Sequence, residues 1–431
     1  MYSELLLKTF FININLLSLN SLRTAVWFQI RKLATRTNTS FMPRKSRIKL
    51  LIFSLWICLP LGSSAQAIWH HSDHKDIYNY LDELRIQGSI NYNPSVKPLS
   101  RTHIASLLNQ AENKNLNRIQ EQERQFFLRE FSKDTAEVRP ENKRLDAFYY
   151  QDKNFRLTAN PLLIENYSIG SKGQNYWNQQ WGLEMFGSVD RLGFYFNVRD
   201  NLENPLIYST PNISPRWGGV YKGSQFSTGG IEYYEVRSGI TYDWKWGNIG
   251  LLKDHIEIGS YQTAPLILSK RPPSYPHIKL QLNPVKWASI NYVFGWLSSG
   301  VIDSSRSYYS AGGAYRQIFH SKYIALNYIT LRPFKTLYFS LGSSAIIADA
   351  ENLNIGYFIP IMYYTALDQS FNSQVNNAGQ NSQFFFDISW DAFKMARVYG
   401  SLFIDELRAA TAFDPDEQRN IISWKLGAQS K

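Results

Sequence analysis

From Phe155 onward, apolar and polar residues alternate with a period of two, the spacing that sends successive side chains to opposite faces of a strand. Between Ile231 and Gly247, one side carries Ile240, Tyr242, Trp244 and Trp246. The other carries Glu235, Arg237, Gly239, Thr241, Asp243 and Lys245. The split recurs. Leu192, Phe194, Phe196 and Val198 oppose Gly193, Tyr195, Asn197 and Arg199. Ile278, Leu280 and Leu282 oppose His277, Lys279, Gln281 and Asn283, and Ala288, Ile290, Tyr292, Phe294 and Trp296 oppose Ser289, Asn291, Val293 and Gly295. Phe384, Phe386, Ile388 and Trp390 oppose Phe385, Asp387 and Ser389. In a membrane barrel both sides have a place, lipid for the aromatics and a watery interior for the charges. The pattern predicts a mainly β chain, an antiparallel transmembrane β-barrel over residues 146–431. Connections of unequal length agree: Val189-Asp190-Arg191-Leu192 reads as a tight turn, and residues 201–230 as a long loop rich in Pro, Gly, Ser and Asn.

Ahead of the alternation the period is helical. Asp76 opens a segment with Ile77, Tyr80, Leu81 and Leu84 on one face, and Gly88 is placed to end it. Ser100 can cap a second helix whose apolar face is Ile104, Leu107, Leu108 and Ala111. A third runs over about residues 117–131, with Ile119, Phe126, Phe127 and Phe131 grouped against a charged face. Residues 68–145 are thus expected to form a small helical periplasmic module whose charged faces are solvated.

Residues 42–67 have the three parts of a secretory signal: a basic stretch (Arg44, Lys45, Arg47, Lys49), an apolar run from Leu50 to Leu61, and the A-x-A triplet ending at Ala67. The run is too short to span a bilayer. Residues 1–41 add nothing a signal needs and read as a mis-called extension. This placement changes the meaning of the net charge of +11. Residues 1–67 hold nine Lys/Arg against Glu4, leaving 37 basic and 34 acidic residues beyond them, a net of +3. A nucleic-acid partner is therefore not expected. Cys58, inside the apolar run, is the only cysteine, so the exported chain must be stable without disulfides. Aromatic residues make up 15% of the chain, yet the mean hydropathy is −0.32. That combination suits a barrel in which only alternate residues face lipid and Tyr and Trp collect at the interfaces.

Signals for catalysis are weak. His70, His71 and His74 could bind Zn²⁺ or Cu²⁺ in principle, but they follow the cleavage site in a segment expected to be loose, so neither metal nor cofactor is expected. Asp405-Glu406 and Asp414-Pro415-Asp416-Glu417 supply paired carboxylates without placing two across a cleft. No P-loop, G-x-S-x-G or HExxH occurs.

Several segments, in order, resemble the capsule assembly protein Wzi family. They are IYNYLDELRIQGSI and PLSRTHIASLLNQA in the helical region and KDHIEIGSYQTAPLILSKRPPSYPHIKL over residues 253–280. KYIALNYITLRPFKTLYFSLGSSAII, GYFIPIMYY and QNSQFFFDISWDAFKMARVYGSLFIDEL follow. The resemblance covers about residues 76–431. The chain departs from the family pattern at His255-Ile256-Glu257-Ile258-Gly259, which lacks a Trp-Gly pairing. The resemblance implies a monomeric barrel in the outer membrane of a diderm bacterium. It would sit in outer-membrane lipid and hold or organise capsular or other surface polysaccharide without catalysis. Sugars are bound by aromatic faces and by charged groups that hydrogen-bond hydroxyls. Candidate contacts are Glu235, Arg237, Asp243 and Lys245 on the polar side of one strand, and Lys270, Arg271, Tyr275 and Lys279 at or after the basic loop. A diffusion porin and an outer-membrane hydrolase acting on glycans remain the alternatives. Residues 155–431 allow about a dozen strands at roughly 20 residues each. The chain ends on Lys431 rather than an aromatic residue, and a C-terminally truncated, unclosed barrel is expected.

Overall fold

The alternating segments fold as strands of one antiparallel, 14-stranded sheet. The computed structural model describes residues 68–430 apart from residues 73, 113, 132–133, 135–145, 171–174, 205–219, 226–229, 261–264, 349–352, 373–379, 394–395, 407–415 and 417–419. The expected signal and extension, with Cys58, lie outside the described residues, as does most of the second acidic cluster. In chain order the strands are β1 (Phe148–Gln151), β2 (Phe155–Ile169), β3 (Asn175–Val189), β4 (Leu192–Asn204), β5 (Val220–Gln225), β6 (Ile231–Trp244) and β7 (Gly247–Asp254). They continue as β8 (Tyr275–Val285), β9 (Ala288–Ile302), β10 (Phe319–Phe334), β11 (Leu337–Ala348), β12 (Gln380–Phe393), β13 (Ala396–Glu406) and β14 (Ile421–Ser430). Each pairs with its sequence neighbour, except that β5 pairs beside β6 and β4 pairs β6 directly. Among the described residues β1 and β14 do not pair with each other, so the ladder stays open.

The sheet is inside-out relative to a soluble fold. On β6, Glu235, Arg237, Thr241 and Asp243 are buried, whereas Ile240 is 61% exposed. The polar side faces inward on neighbouring strands too, with Asn197, His277, Lys279, Asn291, Asp387 and Arg397 all buried. The outer side exposes Trp181, Leu183, Leu192, Leu251, Trp296, Trp390 and Val398. In water this exposure would be costly, at about 25 cal/mol per Å² of apolar surface; in lipid the outer face has its matching solvent.

Five connections contain only two residues, since Val189 pairs Leu192, Trp244 pairs Gly247, Val285 pairs Ala288, Phe334 pairs Leu337 and Phe393 pairs Ala396. All five lie at one end of the sheet, together with the three-residue connection 152–154, and the long connections lie at the other. Asp190, at φ 50°, takes the left-handed conformation that the first turn needs. Two segments differ from expectation. β6 ends at Trp244, which leaves Lys245 and Trp246 in its turn, and residues 201–204 extend β4 instead of opening a loop.

The expected helices form as α1 (Lys75–Ile86), α2 (Arg101–Gln110) and α3 (Arg118–Phe131). Gly88, at φ 78°, follows α1, and the Ser100 hydroxyl accepts from His103 N–H to cap α2. Ile77, Leu81, Leu84, Ile104, Leu107, Leu108 and Phe131 share one core. Ile119 and Phe126, grouped with that face in the sequence, are exposed instead. The polar faces also differ from the solvated surface expected of them. Asp82 and Arg85 are buried against strands: Asp82 faces Arg397 at 3.4 Å, and Arg85 faces Asp391 at 3.0 Å. Asn91 donates to the Lys335 carbonyl (2.9 Å) in a short turn, which places this contact at the short-turn end.

The helical segment touches strands far apart in the sheet, from Arg156 on β2, 3.2 Å from Asp134, to Arg397 on β13. Ten strand spacings would separate these by about 48 Å if flat, so the sheet must curl around the segment. Residues 255–260, from the opposite end, also fold inward. Glu257 and Ile258 pair in register with Lys97 and Val96, and Ser260 N–H donates to Asp387 (3.2 Å). A short helix, α4 (Tyr364–Asn372), and the 3₁₀ turn Ile355–Phe358 lie on the outer face, where the Tyr292 hydroxyl donates to the Tyr357 carbonyl (2.8 Å).

Candidate functional site

Two regions gather chemistry: an ion network inside the sheet and an aromatic hairpin at the long-connection end. Arg237 of β6 reaches Glu235 on the same face at 3.2 Å and Asp254, at the end of β7, at 3.9 Å. His255 lies 3.9 Å from Glu235 and 4.0 Å from Asp254. Asp254 is held from behind by the Tyr195 hydroxyl (2.7 Å), while its other oxygen takes the backbone N–H of His255 (2.8 Å). From the helical side His71 comes within 3.1 Å of the His255 ring nitrogen and 3.7 Å of Asp254. Burial holds the His71 imidazole well below its ordinary range, with Arg237 and His255 adding to the effect. A cavity of about 30 Å³, room for roughly one water, is lined by His70, His71, His74, Arg101, Glu184, Arg237 and Asp254 among others.

The sequence-derived residues divide by position. Glu235 and Arg237 belong to this network. Lys270 is next to it, bridging Glu257 (3.4 Å) and the Ser72 carbonyl (3.2 Å). Lys279 is buried with its ammonium 3.6 Å from the centre of the Trp69 ring. Tyr275 packs its ring on His277, with centroids 5.3 Å apart. Arg271 is exposed in the loop beside Lys270. Asp243 shares a face with Arg237 but lies six residues along β6, about 20 Å away, at the short-turn end. Lys245 is exposed in the turn beyond it. The eight residues therefore do not converge on one site. Asp405 and Glu406 follow each other on β13 where its register with β14 shifts, and Asn381 donates to Asp405 (2.9 Å).

The second region is absent from the sequence-derived set. Between β9 and β10, Tyr308 and Tyr309 pair with Arg316 and Tyr315 in a two-stranded hairpin. Its turn contains Gly313 at φ 79°. Tyr309 is 73% exposed and packs against Tyr315 with centroids 5.0 Å apart; Tyr308 is also exposed. Asp303 anchors the base. Hydrogen bonds from Ser305 and Arg306 hold its carboxyl well below the usual range. Three aromatic faces beside Arg316 form a surface on which a sugar ring can stack while its acid groups meet a cation. The signal in the sequence is YYSAGGAYR: a tyrosine pair and a single Tyr-Arg flanking a Gly-Gly turn.

No family model and no curated protein matches the chain. Among solved structures it is similar to the outer-membrane protein Wzi, involved in group 1 capsule assembly in Escherichia coli and described as a carbohydrate-binding β-barrel. That match has 10% identity and a TM-score of 0.26, over 85% of this chain and 96% of that one. It is also similar to the NanC porin, at 8% identity and TM-score 0.22 over 64% and 94% of the two chains. The monoaromatic hydrocarbon channel CymD gives 9% identity and TM-score 0.27, over 66% and 81%. No residue correspondence follows at these values.

Proposed function

We propose that this protein is an outer-membrane barrel that binds or organises surface polysaccharide and does so without catalysis. The observation that carries the reading is the filled interior. Helices occupy the curl of the sheet from one end, residues 255–260 enter from the other, and buried charges tie them to the wall. A diffusion porin needs a hydrated passage at this place. The outward apolar face supports residence in lipid. The exposed tyrosines and Arg316 support contact with an acidic sugar chain at the long-loop end, and the resemblance of the sequence to the Wzi family points to the same class of ligand.

Two measurements on purified protein test this. In a planar bilayer it should show no steady conductance, and it should bind acidic polysaccharide more weakly after Tyr309→Ala or Arg316→Ser. A large stable conductance together with unchanged binding in both variants would favour the porin. Release of shortened chains from a defined polysaccharide would favour the hydrolase.

A further inference from the structure

We propose that His71, Asp254 and His255 form a binding site for a divalent transition metal of the Zn²⁺ class, clipping the start of the helical segment to the barrel wall. Three buried donors of the right kind meet here, two imidazole nitrogens and one carboxylate oxygen. Their contacting atoms form a triangle with sides of 3.1, 3.7 and 4.0 Å. The point equidistant from its corners lies about 2.1 Å from each, the length of a Zn–N or Zn–O bond. The three separations thus leave room for a cation at bond length from each donor atom.

The surroundings are those of a held site. The Tyr195 hydroxyl fixes one oxygen of Asp254 and leaves the other turned toward the imidazoles, the outer-shell orientation metal ligands usually have. The adjoining cavity leaves space for a water as fourth ligand, and Glu235, 3.9 Å from the His255 nitrogen, is the protein group nearest to that role. Arg237 opposes a cation here, being 3.9 Å from Asp254. It faces two carboxylates, Asp254 and Glu235, which outnumber it, although Lys253, Lys270 and Lys279 stand further out and also oppose a cation. From the sequence alone, residues 70–74 are expected to be a loose tail and no metal site. Instead His71 is buried beside a strand end 184 residues away.

The competing account is a bond between the two imidazoles alone, and experiment separates them. Untagged full-length protein is stripped with chelator, then titrated with Zn²⁺ and, separately, Co²⁺. One equivalent of Zn²⁺ should bind, and Co²⁺ should give the visible absorption of a low-coordinate site with nitrogen donors. His71→Ala and His255→Ala should each weaken Zn²⁺ binding about 100-fold or more, while His103→Ala leaves it unchanged. Amide exchange over residues 68–72 should slow on adding Zn²⁺ to the wild type. Where a histidine variant misfolds, Asp254→Asn with the Co²⁺ spectrum replaces it, and the spectrum should shift or vanish. Absence of stoichiometric binding to the wild type overturns the proposal. So does equal affinity in His71→Ala or His255→Ala.

Discussion

Replacing Asp82 with Ala should loosen the helical segment from the barrel. The carboxylate is 1% exposed, faces Arg397 at 3.4 Å and accepts from the Tyr92 hydroxyl at 2.8 Å. Removing it leaves a guanidinium, itself 1% exposed, that keeps the Ser260 carbonyl, the Tyr399 ring and the more distant charges of Asp387 and Asp391. Breaking one side of a buried ion pair costs about 3–5 kcal/mol, and the surviving Ser260 bond places this case near 3. At about 1.4 kcal/mol per decade, the undocked population rises roughly 100-fold. Hydrogen exchange across residues 75–86 in the folded protein reads this directly, with amides of β6 as internal reference. Asp82→Asn keeps an acceptor for Tyr92 without the charge and should lie between wild type and Ala. Asp82→Leu with Arg397→Met, which removes both charges, should return exchange close to wild type. If exchange over α1 in Asp82→Ala stays within about twofold of wild type, the ion pair does not hold the segment and the reasoning fails.

Acid should act through the same pair. Burial pushes the Asp82 carboxyl up, but Arg397, Lys97, Arg85 and the Tyr92 bond outweigh it and leave it below the ordinary value. A depressed folded value means its contribution is complete above about pH 4 and is lost as pH falls further; α1 exchange measured from pH 7 to 3 should turn upward only there. Arg271→Ser should weaken binding of an acidic polysaccharide most at low salt, where screening is least. Lys270→Ser should instead speed exchange near Ser72, because Lys270 bonds that carbonyl. At the first short turn, Asp190→Gly should be tolerated, whereas Asp190→Val should cost about 1–2 kcal/mol in urea unfolding, since a branched side chain resists positive φ.

What the sequence revealed and what it concealed follow from one physical difference. Period-two alternation reports which residues share a face, and on β4, β6, β8, β9 and β12 those groupings match the structure. The reading of Glu235, Arg237, Asp243 and Lys279 as inward follows from the same signal. Caps are equally local, and Ser100 and Gly88 stand where short-range chemistry puts them. Periodicity cannot say what covers a face. In a soluble protein a charged helix face is solvated by default. Here the sheet turns its polar side inward, so Asp82 and Arg85 become docking groups and Ile119 and Phe126 are left outside the core. The ion network was hidden for the same reason: His71 meets His255 only after the sheet curls and residues 255–260 fold inward, and no local spacing encodes that meeting. Polar residues thus do in this interior what apolar ones do in a soluble core. Because each buried charge requires a partner, such an interior tolerates few arrangements, which makes substitutions at its ion pairs the sharpest test of how it is filled.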